Sequence, residues 1–405
     1  MKTLYQEIEA QVDEHLPQDW HLELRRRLFT LLMGIVLAKS CAPRQMAQAL
    51  YKHGYNNAKE ESIERHLRRI ENDTRLSAEV CVHPFAKHHL CLGKPRELVL
   101  IIDPTTHTDK IVMLMISVRY RGRSLPLAWD IWPANIPLKG AGFWERVAQL
   151  LAIVADLLPP DIPIIWLADR AFGTPQFTDL LEAYGWFYIV RVQGQTRFRD
   201  CLGREQRIDS FVKQQGQRVK RQGWAFKKMD WRAVSMVAYW SHKHKGSLCL
   251  VSNLKVGWNL IRLYRLRYNI EAMFRDYKSQ GWHWENSQVY DLQHVQVLLV
   301  GMALATWLAL MIGTQVAHEH LSQVPNGKRA TPPKISQSSL FQMGLERLQQ
   351  WAVNNLRHPL AFWLGDWQAP NWKEQVTQHH RFAYIMGTIS SIVKLRHYLN
   401  STVRP

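Results

Sequence analysis

Several things are scarce in this 405-residue chain, and each shortage narrows what it does. It has no low-complexity tract and no internal repeat, which leaves out fibrous, solenoid and disordered classes. Its five cysteines are scattered and odd in number, so no disulfide framework is expected. The opening segment, MKTLYQEIEAQVDEH, is acidic and amphipathic and lacks the apolar core of a signal peptide. Both features point to a reducing cytoplasm. Long hydrophobic runs are almost missing. The one exception, VLLVGMALATWLALMIG at 297–313, is uncharged and close to spanning length, but it contains Gly and Thr and stands alone. It reads as a buried helix of a large core, with no membrane partner. Cys81, His83, His88, His89 and Cys91 lie close in sequence but lack the paired C-x2-4-C knuckles of a structural zinc site, so no zinc is expected from them. Acidic residues are in short supply: 34 Asp and Glu face 52 Lys and Arg, a formal charge of +18. That excess calls for a polyanionic partner, either nucleic acid or an anionic surface. Seventeen tryptophans add aromatic area that could stack on bases, although most Trp in any protein is core.

What is present is length enough for about two or three domains. Residues 1–92 read as helical. LRRRLFTLLMGIVLAKS and APRQMAQALYKHG are two helices, the second ending at Gly54. In the third, AKEESIERHLRRIEND, Glu60, Glu61 and Glu64 come early and Arg65, Arg68 and Arg69 late, in agreement with the helix dipole. Short helices with a basic last member suggest a helix-turn-helix-like module, with those three arginines near the groove or its phosphates. From residue 93 the period changes. RELVLIIDPTT holds a short buried strand, 98–102, ending at Asp103 and broken by Pro104. A strand, turn and strand come next, then a helix, then IPIIWLADRAFG, a strand ending at Asp169, then another helix and the strand WFYIVRV. Residues 195–252 are rich in Arg, Lys, Gln and aromatics and read as a β-rich basic insertion. A polar-striped helix and the apolar helix complete 253–320. Beyond Gly327 comes KRATPPK, a linker, and a C-terminal helical region spanning 321–405 overall.

The polar-striped helix, YRLRYNIEAMFRDYKSQGW (264–282), carries the main clue. At about 100° per residue, Tyr264, Arg267, Glu271 and Lys278 fall within an arc of about 60°. Leu263, Leu266, Ile270, Met273, Phe274 and Tyr277 form the adjacent core stripe, and Arg265, Asn269, Arg275 and Asp276 take the remaining face. Gly281 ends the helix. An amphipathic helix with i,i+4 ion pairs would show part of this pattern. The order strand, hairpin, helix, strand, helix, strand, insertion, helix is that of an α/β, RNase H-like core. Asp103 and Asp169 end apolar strands, and Glu271 sits on the later helix. Three carboxylates without Cys or His make a hard-oxygen set suited to Mg2+ or Mn2+. Two such ions about 4 Å apart serve phosphodiester chemistry.

The spacing Tyr264-x2-Arg267-x3-Glu271-x6-Lys278 resembles the Y-R-E-K signature of DDE transposases of the insertion-sequence-four type. DRAFG and LIIDPTT resemble that family's second and first Asp motifs. The resemblance covers about 95–315 well, the N-terminal helices loosely and the last 80 residues weakly. It implies that Asp103, Asp169 and Glu271 ligate two metal ions, and that Tyr264, Arg267 and Lys278 hold the phosphates of the transposon end. It further implies double-stranded DNA as partner, terminal repeats bound by 1–92, a homodimer in the synaptic complex, a bacterial source, and an insertion Trp, here Trp240, against an unstacked base. A nuclease that cuts without joining, or a non-enzymatic DNA-binding protein derived from a transposase, would share the fold.

Overall fold

The computed structural model describes residues 4–55, 58–136, 138, 140–243, 245–322, 338–354, 362–365 and 367. The described chain starts with six helices: α1 (Leu4–Asp13), α2 (Leu22–Ala38), α3 (Pro43–Lys52), α4 (Glu60–Glu71), α5 (Ala78–Cys81) and α6 (His83–Leu92). Pro43 opens α3 at the position where a missing N–H costs nothing. On α4 the apolar residues Ile63, Leu67 and Ile70 recur at helical spacing and are buried, which leaves the arginines outside.

Next come β1 (Leu98–His107), β2 (Ile111–Tyr120), β3 (Arg123–Pro133), α7 (Ala141–Leu157), β4 (Ile164–Ala168), α8 (Pro175–Ala183) and β5 (Phe187–Arg191). The basic region supplies β6 (Arg197–Asp200), β7 (Glu205–Arg207), β8 (Arg218–Ala225), β9 (Arg232–Tyr239) and β10 (Leu248–Ser252). All ten strands join one sheet, ordered β3-β2-β1-β4-β5-β10-β9-β8-β6-β7. β1 is antiparallel to β2 and parallel to β4, and β4 is parallel to β5. The fold is therefore mixed α/β about one large sheet. The strands of 195–252 continue that sheet through β10, which pairs antiparallel with β5.

Two local readings are corrected. The first strand does not stop at Asp103, and Pro104 does not break it: β1 runs on to His107, with Asp103 opposite Met115 and Pro104 opposite Leu114. The parallel partner β4 pairs only as far as Ile102. Beyond that point one side of β1 is open, and a residue without an N–H is tolerated at such an edge. The polar-striped helix is also not uniform. It comprises α9 (Asn259–Arg265), a break at Leu266 and Arg267, α10 (Tyr268–Arg275) and a π-helical turn, Asp276–Gln280. The break and the wide turn depart from 100° per residue. Asp276, expected on the outer face, is instead buried and accepts a 2.8 Å hydrogen bond from Arg123 Nε of β3. Gly281 does end the segment, but with φ of −138° and not as a left-handed cap. A Cβ there would lie 2.6 Å from Phe341, so close packing explains the glycine.

α11 (Leu292–Ser322) is the one described helix apolar and long enough to cross a membrane, and 94% of its most apolar stretch is buried inside the structure. It packs on β3, α2 and α12 (Leu340–Asn354). Gly313 and Gly344 bring α11 and α12 backbone to backbone, since a Cβ at Gly344 would fall 1.7 Å from the Ala309 carbonyl. Two indoles facing this core find acceptors for their N–H groups, which offsets the cost of burying a donor. Trp307 Nε1 donates to the Pro126 carbonyl (2.9 Å) and Trp129 Nε1 to Gln296 (2.8 Å). The KRATPPK segment and most of 355–405 lie outside the described residues.

Candidate active site

The site grows from one row of the sheet. Ile102 of β1 pairs with Ala168 of β4, and Ala168 with Val190 of β5. One residue further along each strand stand Asp103, Asp169 and Arg191. Adjacent strands are about 4.8 Å apart, so the row where β4 and β5 end, beside the middle of β1, presents two carboxylates and a guanidinium side by side. This is the edge at which open α/β sheets place ligands. Arg191 Nη1 lies 3.5 Å from Asp169 Oδ1.

The helical pieces cover this edge from above. Tyr264, on α9, donates its hydroxyl to Asp169 Oδ1 at 3.2 Å. Arg267, in the break before α10, donates through Nη1 to Asp103 Oδ2 at 3.0 Å and through Nη2 to Glu271 Oε1. One guanidinium thus joins two of the three carboxylates, with only 8% of its side chain exposed. The family resemblance places Arg267 against DNA phosphate. The structure puts it among the acids, and this pairing accounts for the four-residue spacing from Arg267 to Glu271.

Charge and burial oppose each other here. Burial pushes the Asp103 carboxyl up to about 6; Arg267 pulls it down, while Asp169 and Glu271 raise it further. Asp169 is also raised by burial, but the Arg170 backbone N–H, Arg267, Arg191 and Tyr264 together carry it below its usual value. Burial lowers Arg267, yet Asp103, Tyr264, Asp169 and Glu271 hold it above the ordinary guanidinium range. Burial, and then Asp169, push the Tyr264 phenol up, so it remains a donor. A deprotonated Asp169 beside an easily protonated Asp103 is a site short of positive charge. The donor set is all carboxylate oxygen, which fits a hard divalent cation.

The remaining sequence candidates lie elsewhere. Lys278 faces Glu285 at 3.6 Å, beside His107 at the far end of β1. Four residues of strand, about 13 Å, separate His107 from Asp103. Arg65, Arg68 and Arg69 are exposed on α4, with Arg68 Nη2 2.8 Å from Glu64. Trp240 is half-buried just past β9, its backbone bonded to Gln217 and Gly216. Two further groups are missed by reasoning from the sequence. Arg191 has one signal there, its place at the end of WFYIVRV, the strand parallel to β4. Trp258, just before α9, has Arg218 Cζ 4.7 Å and Lys220 Nζ 5.4 Å from its ring. The alternation Arg218, Lys220 on one strand is legible, but its meeting with Trp258 needs the strand register. Lys220 pairs with Val237, Val237 with Leu250 and Leu250 with Arg191, so Lys220 and Arg191 share a sheet face.

Comparison with known proteins bears on this geometry. Residues 145–308 match the model of the transposase DDE domain family. The matched stretch holds Asp169, Tyr264, Arg267, Glu271 and Lys278 and begins after Asp103. The match relates this part of the chain to DDE transposases, a family that generally uses divalent metal ions. No curated protein matches the chain. Among solved structures, the cryo-EM structure of a piggyBac transposase synaptic complex with hairpin DNA is similar, at 10% identity and a TM-score of 0.44, over 95% of this chain and 81% of that one.

Proposed function

We propose that the chain is the DNA transposase of a bacterial insertion sequence of the insertion-sequence-four type. It binds the terminal inverted repeats, cleaves the DNA ends by metal-dependent hydrolysis and joins the 3′ ends to target DNA. The observation that carries this reading is the gathering of Asp103, Asp169 and Glu271 around Arg267, where β1 runs on past the end of its parallel neighbour β4. The order β3-β2-β1-β4-β5, antiparallel then parallel, supports an RNase H-like core, with 195–252 as the insertion that extends its sheet. Asp103, Asp169 and Glu271 would hold Mg2+ or Mn2+, two ions per site. Such ions supply positive charge for activating a water or 3′-hydroxyl and for stabilising the leaving oxygen.

This chain's own residues set the stage. Arg267 neutralises Asp103 and Glu271 in the absence of metal and so keeps like charges from forcing the strand ends and the helix apart. Tyr264 fixes one oxygen of Asp169 and leaves the other for a ligand. Arg191, Lys220, Arg218 and Trp258 extend cationic and aromatic surface from the carboxylates across β5 to β8, a course suited to a DNA backbone. The exposed arginines of α4 would serve end recognition, and two copies would act together on paired ends in the cytoplasm. The test is cleavage of a DNA fragment carrying the repeats that flank the gene. Wild type should cut and join in Mg2+, while Glu271→Gln binds the same fragment but does neither. Cleavage by Glu271→Gln at the wild-type rate would overturn the assignment.

A further inference from the structure

Far from the carboxylates in the chain, the loop after α1 and helix α6 bring Glu14, His15, His88 and His89 together. The His15 ring centroid is 4.5 Å from that of His88 and 5.7 Å from that of His89. Glu14 Oε1 and His15 Nε2 approach to 3.1 Å. A carboxylate and an imidazole that close in this way have the bite of ligands sharing a cation, whether a proton or a metal ion. One ligand atom each of Glu14, His15 and His88 lie within 4.8 Å of one another. Ligands of one tetrahedral ion at about 2.0–2.2 Å sit about 3.4 Å apart, so the closure needed is small. Glu14 and His88 are exposed and free to rotate toward the ion. His15 is held between the rings of Phe85 and His88. Behind it, His89 Nε2 is buried without a hydrogen-bond partner among the described residues.

We propose that Glu14, His15 and His88 form a divalent metal site of the zinc class, with water in the fourth position. Two imidazoles and one carboxylate favour borderline ions such as Zn2+ over Mg2+. The donor chemistry therefore separates this site from the all-oxygen set of Asp103, Asp169 and Glu271. Of the sequence cluster Cys81, His83, His88, His89 and Cys91, only His88 belongs to the group, and the other two ligands come from before α2. An ion there ties position 15 to position 88 and closes the N-terminal helices into a loop, at an entropy cost the unfolded chain must bear, so binding adds to stability.

The test uses the untagged full-length chain, stripped with chelator and titrated with Co2+ and then Zn2+. Wild type should bind one Co2+ that gives the strong visible band of tetrahedral coordination, apart from weakly absorbing Co2+ at the carboxylates, lose that band to Zn2+, and melt at higher temperature with Zn2+ present. His88→Ala, a change at an exposed position, should bind at least tenfold more weakly and lose the melting shift, and Glu14→Gln should weaken binding. Asp103→Asn should keep both band and shift. Equal cobalt spectra and affinities in His88→Ala and wild type, or no tetrahedral band in wild type, would overturn the proposal. Loss in Asp103→Asn with retention in His88→Ala would do the same, by assigning the ion to the carboxylates.

Discussion

Asp103→Asn should make the metal-free protein more stable while it abolishes catalysis. The folded Asp103 carboxyl titrates at about 6, pushed up by burial against the pull of Arg267. Its ordinary value is 3.8. Moving from 3.8 to about 6 corresponds to roughly 3 kcal/mol of penalty on the ionised form at neutral pH. Asn keeps the shape and the acceptor for Arg267 Nη1 but drops the charge. That penalty already contains the pull of Arg267 on the ionised carboxyl. The net expectation is a gain of about 2–3 kcal/mol, seen as a melting temperature higher by a few degrees for a chain of this size. The sign with pH is definite. Because the folded value lies above the unfolded one, the penalty is fully present above about 6 and is relieved as pH falls toward 4. Scans of chelator-treated wild type and Asp103→Asn at pH 8 and pH 4.5 should show the gap at the first and little of it at the second. Added Mn2+ should reverse the order at pH 8 by stabilising wild type alone. An Asp103→Asn protein that melts below wild type at pH 8, or a gap that ignores pH, would refute the reasoning.

Arg267→Ala removes the partner of Asp103 and Glu271. Breaking a buried pair costs about 3–5 kcal/mol, but the Glu271 side chain is 43% exposed and screened, so about 2–3 kcal/mol is expected. Mn2+ should restore more melting temperature to Arg267→Ala than it adds to wild type, and equal shifts would deny that the arginine and the ion answer the same charge. Trp258→Ala should weaken DNA binding by about 1–3 kcal/mol at any salt, whereas Arg218→Ala should lower the salt slope by about one. The two effects are read by titrating fluorescent DNA between low and moderate salt, and a Trp258→Ala protein that binds like wild type would leave that ring as packing.

The elements were legible where their signals are local. The apolar runs of 111–120 and 123–133 around a short turn, and the 3.6 spacing of Ile63, Leu67 and Ile70, act locally, and the structure keeps them as a buried strand pair and a helix. Pro104 misled because its tolerance depends on where β4 stops pairing, which no local rule contains. The helical strip pointed to Tyr264, Arg267 and Glu271, and these three do meet the two aspartates. What the strip could not give was the contact of Arg267 with Asp103, since ion pairing and phosphate binding use the same cation at the same spacing. Lys278 lies in the π-helical turn, which no uniform rotation anticipates, and faces Glu285. Arg191 and Trp258 depend on strand order and register across four strands. Such long-range pairings are invisible to a window of ten residues.

The most direct measurement is metal rescue at Asp169, the less buried of the two aspartates. Asp169→Cys offers a soft thiolate where a hard oxygen stood, which Mg2+ binds poorly and Mn2+ tolerates. Wild type should cleave the terminal DNA with either ion. Asp169→Cys should fail in Mg2+ and recover cleavage in Mn2+, while Asp169→Ser stays inactive in both. Equal cleavage by Asp169→Cys in Mg2+ and Mn2+, or a folded, DNA-bound Asp169→Cys protein that neither ion revives, would contradict the claim that this carboxylate holds metal.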